Sequence, residues 1–298
     1  MVQTLPKDYF LRERNREYYV NEKIHEKLHF LNLFPIVNND YGEFTQYITD
    51  ANADVETEDP RGIGEGVNFA ESNFGTPSKK QGSLVAKGFK FSWTDKVVTQ
   101  GRLNANMQIW LSKAVSRLAK FYDARFAASI MELANATAPN DLSDWTDSTA
   151  IDPVGDELKI INAYEEDGYG YEPAAMYLNN NDMLARNNYI ASFPYEVKHE
   201  MEYFNFGKAI PEGKALILPS ELIANIEKHT SKNYSVIRQA EITSEKTGKQ
   251  LQNVPESFIN VWYPPMTKPG VHECYLWCEA AVNMLESKGA MVVDLDGS

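Results

Sequence analysis

The sequence predicts an α+β protein, and three stretches carry that prediction. Residues 104–135 hold neither Pro nor Gly and repeat apolar side chains every three or four positions. Residues 84–99 alternate instead, as a strand does. From about residue 150 onward, short apolar runs alternate with amphipathic ones, the texture of strands and helices packed together.

The first stretch is the plainest. Leu111, Val115, Leu118, Tyr122, Phe126, Ile130 and Leu133 form one stripe, and Lys113, Arg117, Lys120 and Asp123 fall between them. That spacing predicts an amphipathic helix of about 27 residues, or ~40 Å, stopping near Asn135 and Pro139.

The elements before it look like appendages. Residues 8–30 read as a charged arm helix with a partial stripe of Tyr9, Phe10, Tyr18, Tyr19, Ile24 and Leu28, and Pro35 bars any continuation. Residues 52–83 carry Pro60, Gly62, Gly64, Gly66, Gly75, Pro77 and Gly82, and a long ordered loop of this kind is usually functional. In the alternating stretch, Val85, Lys87, Phe89, Phe91 and Trp93 share one face. Together, residues 57–100 predict a β-hairpin that leaves the body of the protein.

Beyond a polar loop at 140–153, a helix is expected at 156–166, with Leu158, Ile161 and Tyr164 on its inner side. A buried strand follows at 174–178. Asn179 then caps a helix running to about Asn187. A strand is expected at 214–218, and Pro219-Ser220-Glu221 reads as the opening of a helix reaching about Lys228. Late strands are expected at 235–242, 258–263, 272–278 and 291–294.

Composition bounds the function. Hydrophobic residues at 43% and charged residues at 24% describe a folded globular chain. The net charge of −13 excludes holding nucleic acid or an anionic membrane through the overall field, because phosphates are repelled. Cys274 and Cys278 are the only cysteines, too few for a disulfide scaffold and too far apart along one strand to bridge. A reducing site of folding is expected. No window approaches ~18 consecutive apolar residues, so no transmembrane helix is expected. The first 27 residues contain no apolar signal core, so a cytoplasmic site of synthesis is expected.

Chemical motifs are weak throughout. Gly62, Gly64 and Gly66 spell GxGxG, but no strand precedes them and no helix follows to aim amides at a phosphate. His272, Cys274 and Cys278 lack the second cluster a zinc site needs, and read as partly buried strand residues. His25 and His29 are four apart, without the HExxH context, and read as a solvated helix face. No catalytic, cofactor-binding or metal-ligating residue is assigned, and no enzymatic activity is expected. The aromatics of the arm and hairpin (Tyr18, Phe69, Phe74, Phe89, Phe91 and Trp93 among them) need burial, and neighbouring copies of the chain would supply it.

The order of these elements resembles a known family. A charged arm is followed by RGIGEGVNFAESNF and KQGSLVAKGFKFSWTDKVV within 61–98, then directly by MQIWLSKAVSRLAKFYDARFAASIMELAN at 107–135 and DELKIINAYEEDGYGYEPAAMYLNNNDMLARNN at 156–188. This resembles the major capsid proteins of tailed viruses with the HK97-type fold. FSWTD, 91–95, is similar to the end of that family's E-loop. The resemblance implies an HK97-like α+β capsid fold divided as follows. Residues 1–56 form an N-terminal arm and the start of a peripheral domain, and 57–100 an extended E-loop hairpin. Residues 101–149 form a peripheral domain with a spine helix, and 150–255 an α/β axial domain. Strands at 256–298 return to both domains.

The resemblance also implies a function. Homo-oligomeric hexamers and pentamers would build an icosahedral shell around double-stranded DNA held without sequence-specific binding. Portal, scaffolding and decoration proteins are the further partners it implies, with no membrane and no cofactor. The location implied is the virion capsid, with host cytoplasm during assembly. An encapsulin-type cellular nanocompartment and an unrelated α+β enzyme are the alternatives the sequence leaves open.

Overall fold

The structure, a computed structural model, describes residues 13–48, 78–145, 151–167, 170–192, 202–205, 210–229, 258–262 and 269–296. Gly62, Gly64, Gly66, Phe69, Phe74, Tyr9, Phe10 and the strand expected at 235–242 lie outside the described residues. The first elements in chain order are α1 (Glu13–Lys27), β1 (Ile36–Asn39), β2 (Glu43–Ile48), β3 (Ser78–Ser83), β4 (Val85–Thr94), α2 (Asp95–Thr99) and α3 (Leu103–Leu133). Then come α4 (Pro153–Asp167), β5 (Pro173–Leu178), α5 (Asn180–Ala191), β6 (Glu202–Asn205) and β7 (Lys214–Pro219). The last are β8 (Ala224–His229), β9 (Asn260–Trp262), β10 (Val271–Met284) and β11 (Met291–Asp294). The chain divides into two compact units: Met1–Phe44, Gly82–Ala127 and Asn225–Asn283 form the first, and Thr45–Gln81, Ala128–Ala224 and Met284–Ser298 the second.

The first unit is a sheet packed on a helix. The sheet order is β1-β8-β10-β4, with β9 also on β10. On α3, Leu111, Val115, Leu118, Tyr122 and Phe126 are all buried, as their spacing requires. The Tyr122 hydroxyl stands 2.9 Å from the Val85 carbonyl oxygen and 2.6 Å from that of Cys278, so α3 is pinned to two neighbouring strands by one donor. Along β10, Cys274, Leu276, Cys278 and Ala280 are buried and the residues between them are half-buried, a period of two. Both cysteines are fully buried in this core and neither is joined in a disulfide, where partial burial was expected.

Three expectations for this unit need correction. The strand expected to reach residue 99 ends at Thr94, and α2 takes over. Asp95 donates its backbone N–H to the Gly270 carbonyl at 3.1 Å, and the Thr99 hydroxyl donates back to the Asp95 carbonyl at 2.7 Å, which closes one helical turn. Of the hairpin expected to leave the body at 57–100, residues 57–77 lie outside the described residues, and its last strand, β4, stays in the sheet: β3 pairs with β2, while β4 runs antiparallel to β10 from Val85 opposite Ala280 to Thr94 opposite Val271. The helix expected from Pro219 to Lys228 is strand β8, parallel to β1 with Ile36 opposite Ile226. There, tertiary pairing overrides a local preference for helix.

The second unit is a four-stranded sheet, β11-β7-β5-β6, with α4 packed on it. Its core gathers Trp145, Ile160, Tyr164, Met176, Ile217 and Met291. The buried face of α4 is turned from the expected one: Tyr164 is buried and Ile161 packs on the core as expected, but Leu158 is 57% exposed and Asp156 and Ile160 are buried in its stead. The cause is Asp156. Its carboxylate accepts the Ser143 N–H at 3.0 Å and the Trp145 indole N–H at 2.9 Å, which sets the rotation of the helix. Asn179 caps α5 as expected, accepting the Asn181 N–H at 3.1 Å.

Candidate assembly surfaces

In the first unit, the arm helix α1 docks through Val20, Ile24 and Leu28, which are fully buried, leaving Tyr18 57% exposed. The chain then turns through a short 3-10 segment at His29–Asn32, where Phe30 meets Phe126 edge to face at 6.2 Å. Asp123, expected among the solvent-facing charges of α3, is instead buried and accepts the His29 N–H at 3.1 Å. Burial pushes its carboxyl up to about 7. His25 and His29 are half-buried, not solvated, and burial pushes both down.

At the far end of β4, His272 bonds Asp95 at 2.7 Å and stacks on Trp93 at 5.6 Å. The Arg16 guanidinium lies 5.4 Å from the same ring. His272 is therefore engaged with a carboxylate and an indole rather than poised beside the cysteines for a metal. Among the described residues no group of three or more His, Cys, Asp or Glu is arranged to hold one.

The sheet face carrying the odd-numbered residues of β10 is open around an aromatic groove of about 420 Å³. Trp262, Tyr275, Trp277 and Lys90 line it, and Gly88 lies directly opposite Trp277. Lys90 pairs with Glu273 at 2.7 Å and lies 5.3 Å from the Tyr275 ring. Trp262 is 40% exposed.

In the second unit, α4 and α5 are locked by a buried ion pair, Arg186 to Glu157 at 2.8 Å. The Tyr189 hydroxyl donates to Asp152 at 3.0 Å, a second tie between them. These two helices present Leu158 and Leu184 to solvent, and Leu222 is also more than half exposed. On β3, Lys80 pairs with Glu132 of α3 at 2.6 Å. The exposed leucines escaped sequence analysis because helical spacing alone placed Leu158 inside.

No protein-family model matches the sequence, and no curated protein matches it. Solved structures do. A virus-like particle protein from Pyrococcus furiosus aligns over 94% of this chain and 98% of its own, with TM-score 0.60 at 10% identity. A phage-related protein from Bordetella bronchiseptica RB50 aligns over 94% and 96%, with TM-score 0.55 at 12% identity. The capsid of an empty GTA particle aligns over 90% and 89%, with TM-score 0.53 at 9% identity. The chain has the HK97-type capsid fold. In this HK97-type chain, α3 stands where the sequence placed the spine helix. The β5, β7 and β11 sheet with α4 and α5 has the α/β character expected of residues 150 onward. β8, from within 150–255, joins the first unit's sheet, and of the strands from 256–298, β9 and β10 join that sheet while β11 joins the second. No described helix is long and apolar enough to cross a membrane.

Proposed function

We propose that this protein is a shell subunit that assembles with copies of itself into pentamers and hexamers of a closed icosahedral particle. The observation that carries the reading is the near end-to-end alignment with the virus-like particle protein, 94% of one chain on 98% of the other. The surface supports it, because Leu158, Leu184 and Leu222 are large apolar side chains that a lone subunit leaves in water. The subunit's role is geometric and requires no catalysis. Many modest contacts sum to a stable wall once each subunit is held by several neighbours. The cargo proposed is double-stranded DNA, confined by an acidic wall of net charge −13 per chain without being gripped.

The test is purification of the expressed chain, followed by size-exclusion chromatography and negative-stain electron microscopy. Closed particles, capsomer rings or tubes support the reading, and nuclease-protected DNA in particles from the native source supports the cargo. A species that stays at 33.8 kDa even under crowding and with co-expressed neighbouring proteins overturns it.

A further inference from the structure

Glu227, on β8 in the first unit, is buried with no cationic side chain paired to it among the described residues. Its exposure is 7%, and its two oxygens accept from neutral amides: Asn39 Nδ2 at 3.3 Å and Asn283 Nδ2 at 3.1 Å. A buried carboxylate held only by neutral donors is costly. Two more acceptors stand beside it. The side-chain oxygens of Asn283 and Asn225 are buried and have no hydrogen-bond partner among the described residues, and Asn283 itself is 9% exposed. By contrast, the Asn39 oxygen is fully used by the N–H groups of Tyr41 and Gly42.

Strand pairing brings the three oxygen-bearing groups together. Leu285 donates its N–H to the Ile223 carbonyl, and His229 approaches Glu279 at 3.9 Å, so β8 and β10 run antiparallel with Asn225 opposite Asn283. Directly opposed side chains in such a ladder have Cβ atoms about 5 Å apart. Glu227 is two residues along β8 from Asn225, on the same face. Turning the Asn283 amide about its terminal bond places its oxygen where Nδ2 now stands, 3.1 Å from Glu227 Oε1. Two oxygens bound to one calcium ion at about 2.4 Å are spaced like that.

We propose that Asn225, Glu227 and Asn283 form a site for a hard, oxygen-ligated divalent cation of the calcium class. Carboxylate and amide oxygens without nitrogen or sulfur ligands select such ions over zinc or copper. With one formal charge in the set, the affinity belongs to the weak class, about 10⁻⁴ to 10⁻³ M. The ion would tie β8 to β10 and offset the buried charge of Glu227.

The experiment titrates calcium and magnesium into the chelator-treated full-length protein, reading heat by calorimetry and Tm by circular dichroism. Calcium is expected to give one saturable site per chain and to raise Tm. Asn225→Ala lowers the affinity about tenfold or more. Asn283→Asp adds a ligand charge, so its Tm falls without calcium and its calcium affinity rises about tenfold. A merely structural asparagine gives no such gain. The Asn variants keep the test decisive if Glu227→Gln does not fold. Absence of a calcium-dependent shift in the parent protein, or a shift unchanged by both Asn variants, overturns the proposal and leaves these oxygens to bound water.

Discussion

The Asp123 carboxylate, midway along α3, accepts the backbone N–H of His29 at 3.1 Å and so holds the turn that follows the arm helix. The group is buried, and desolvation raises its carboxyl to about 7 while the backbone donors of Phe30 and His29 pull the other way. In the unfolded chain an aspartate titrates near ~3.9. Between those values the folded state holds the proton more tightly, so this group favours folding at low pH and loses that contribution as pH rises through about 7. Asp123→Asn keeps an acceptor for His29 and removes the charge. It is expected to raise stability at pH 8 by about 1–2 kcal/mol and to flatten the pH dependence between 4 and 7. Urea unfolding of both proteins at pH 5 and pH 8 measures this, and an equal difference at the two pH values would argue against it.

His25 and His29 carry the opposite sign. Burial lowers both, so their neutral forms favour folding above ~6.5, and that contribution is lost as pH falls through their depressed folded values. Between about 4 and 7 the two effects oppose each other, so docking of α1 on α3 in the parent protein is expected to vary with pH less than either effect alone would make it. In Asp123→Asn only the histidines' loss on the acid side should remain. Intrinsic fluorescence across pH 5 to 9 follows the change.

Gly88 tests the pairing of β4 with β10. A Cβ built there lies 2.5 Å from the Leu276 carbonyl oxygen and 2.7 Å from the Trp277 Cβ. Both are attached to the sheet itself and cannot swing away. Gly88→Ala is expected to cost about 1–3 kcal/mol by forcing the strands apart, despite alanine's better strand entropy. Chemical denaturation gives the number, and a neutral result would mean that β4 is not registered on β10 as found.

How much of this was legible in the sequence depends on what fixed each residue. The α3 stripe was legible because seven apolar side chains at helical spacing allow one buried face, and all seven are buried. Asp123 was not legible, since its partner is a backbone N–H from a turn 94 residues earlier, and spacing carries no record of that. Leu158 was assigned inward on the same spacing logic, and the Asp156 hydrogen bonds to Ser143 and Trp145 turned the helix the other way. The segment after Pro219 had a fair N-terminal helix signal. It became strand β8 because β1 offered a parallel partner. The exposed face of α4 and α5 was illegible for the same reason as Leu158, and several aromatics of the arm and hairpin lie outside the described residues.

Ala124 lies in the middle of α3 with its backbone inside the ladder of a 31-residue helix. Ala124→Pro removes the N–H that would bond Lys120 and drives the proline ring into that turn, at ~3 kcal/mol or more. The core stripe on either side would then lose its common direction. Loss of soluble folded protein is expected, measured by far-ultraviolet circular dichroism and expression yield. A variant with the parent's Tm would contradict the continuous helix.

The two exposed leucines separate folding from assembly. Leu158 is 57% and Leu184 59% exposed, and neither belongs to the core of its unit. Charging them should therefore leave the subunit's stability within about 0.5 kcal/mol of the parent. In a shell, the same side chains are the large apolar groups α4 and α5 have to offer a neighbour, and a desolvated carboxylate at a contact costs far more than one in water. Leu158→Asp with Leu184→Asp is expected to keep Tm nearly unchanged and to abolish closed particles, read by calorimetry beside electron microscopy. The conservative pair Leu158→Met and Leu184→Met should assemble like the parent. Normal particles from the charged variant would move the contact to another surface, with the open aromatic groove around Trp262 the next to be charged.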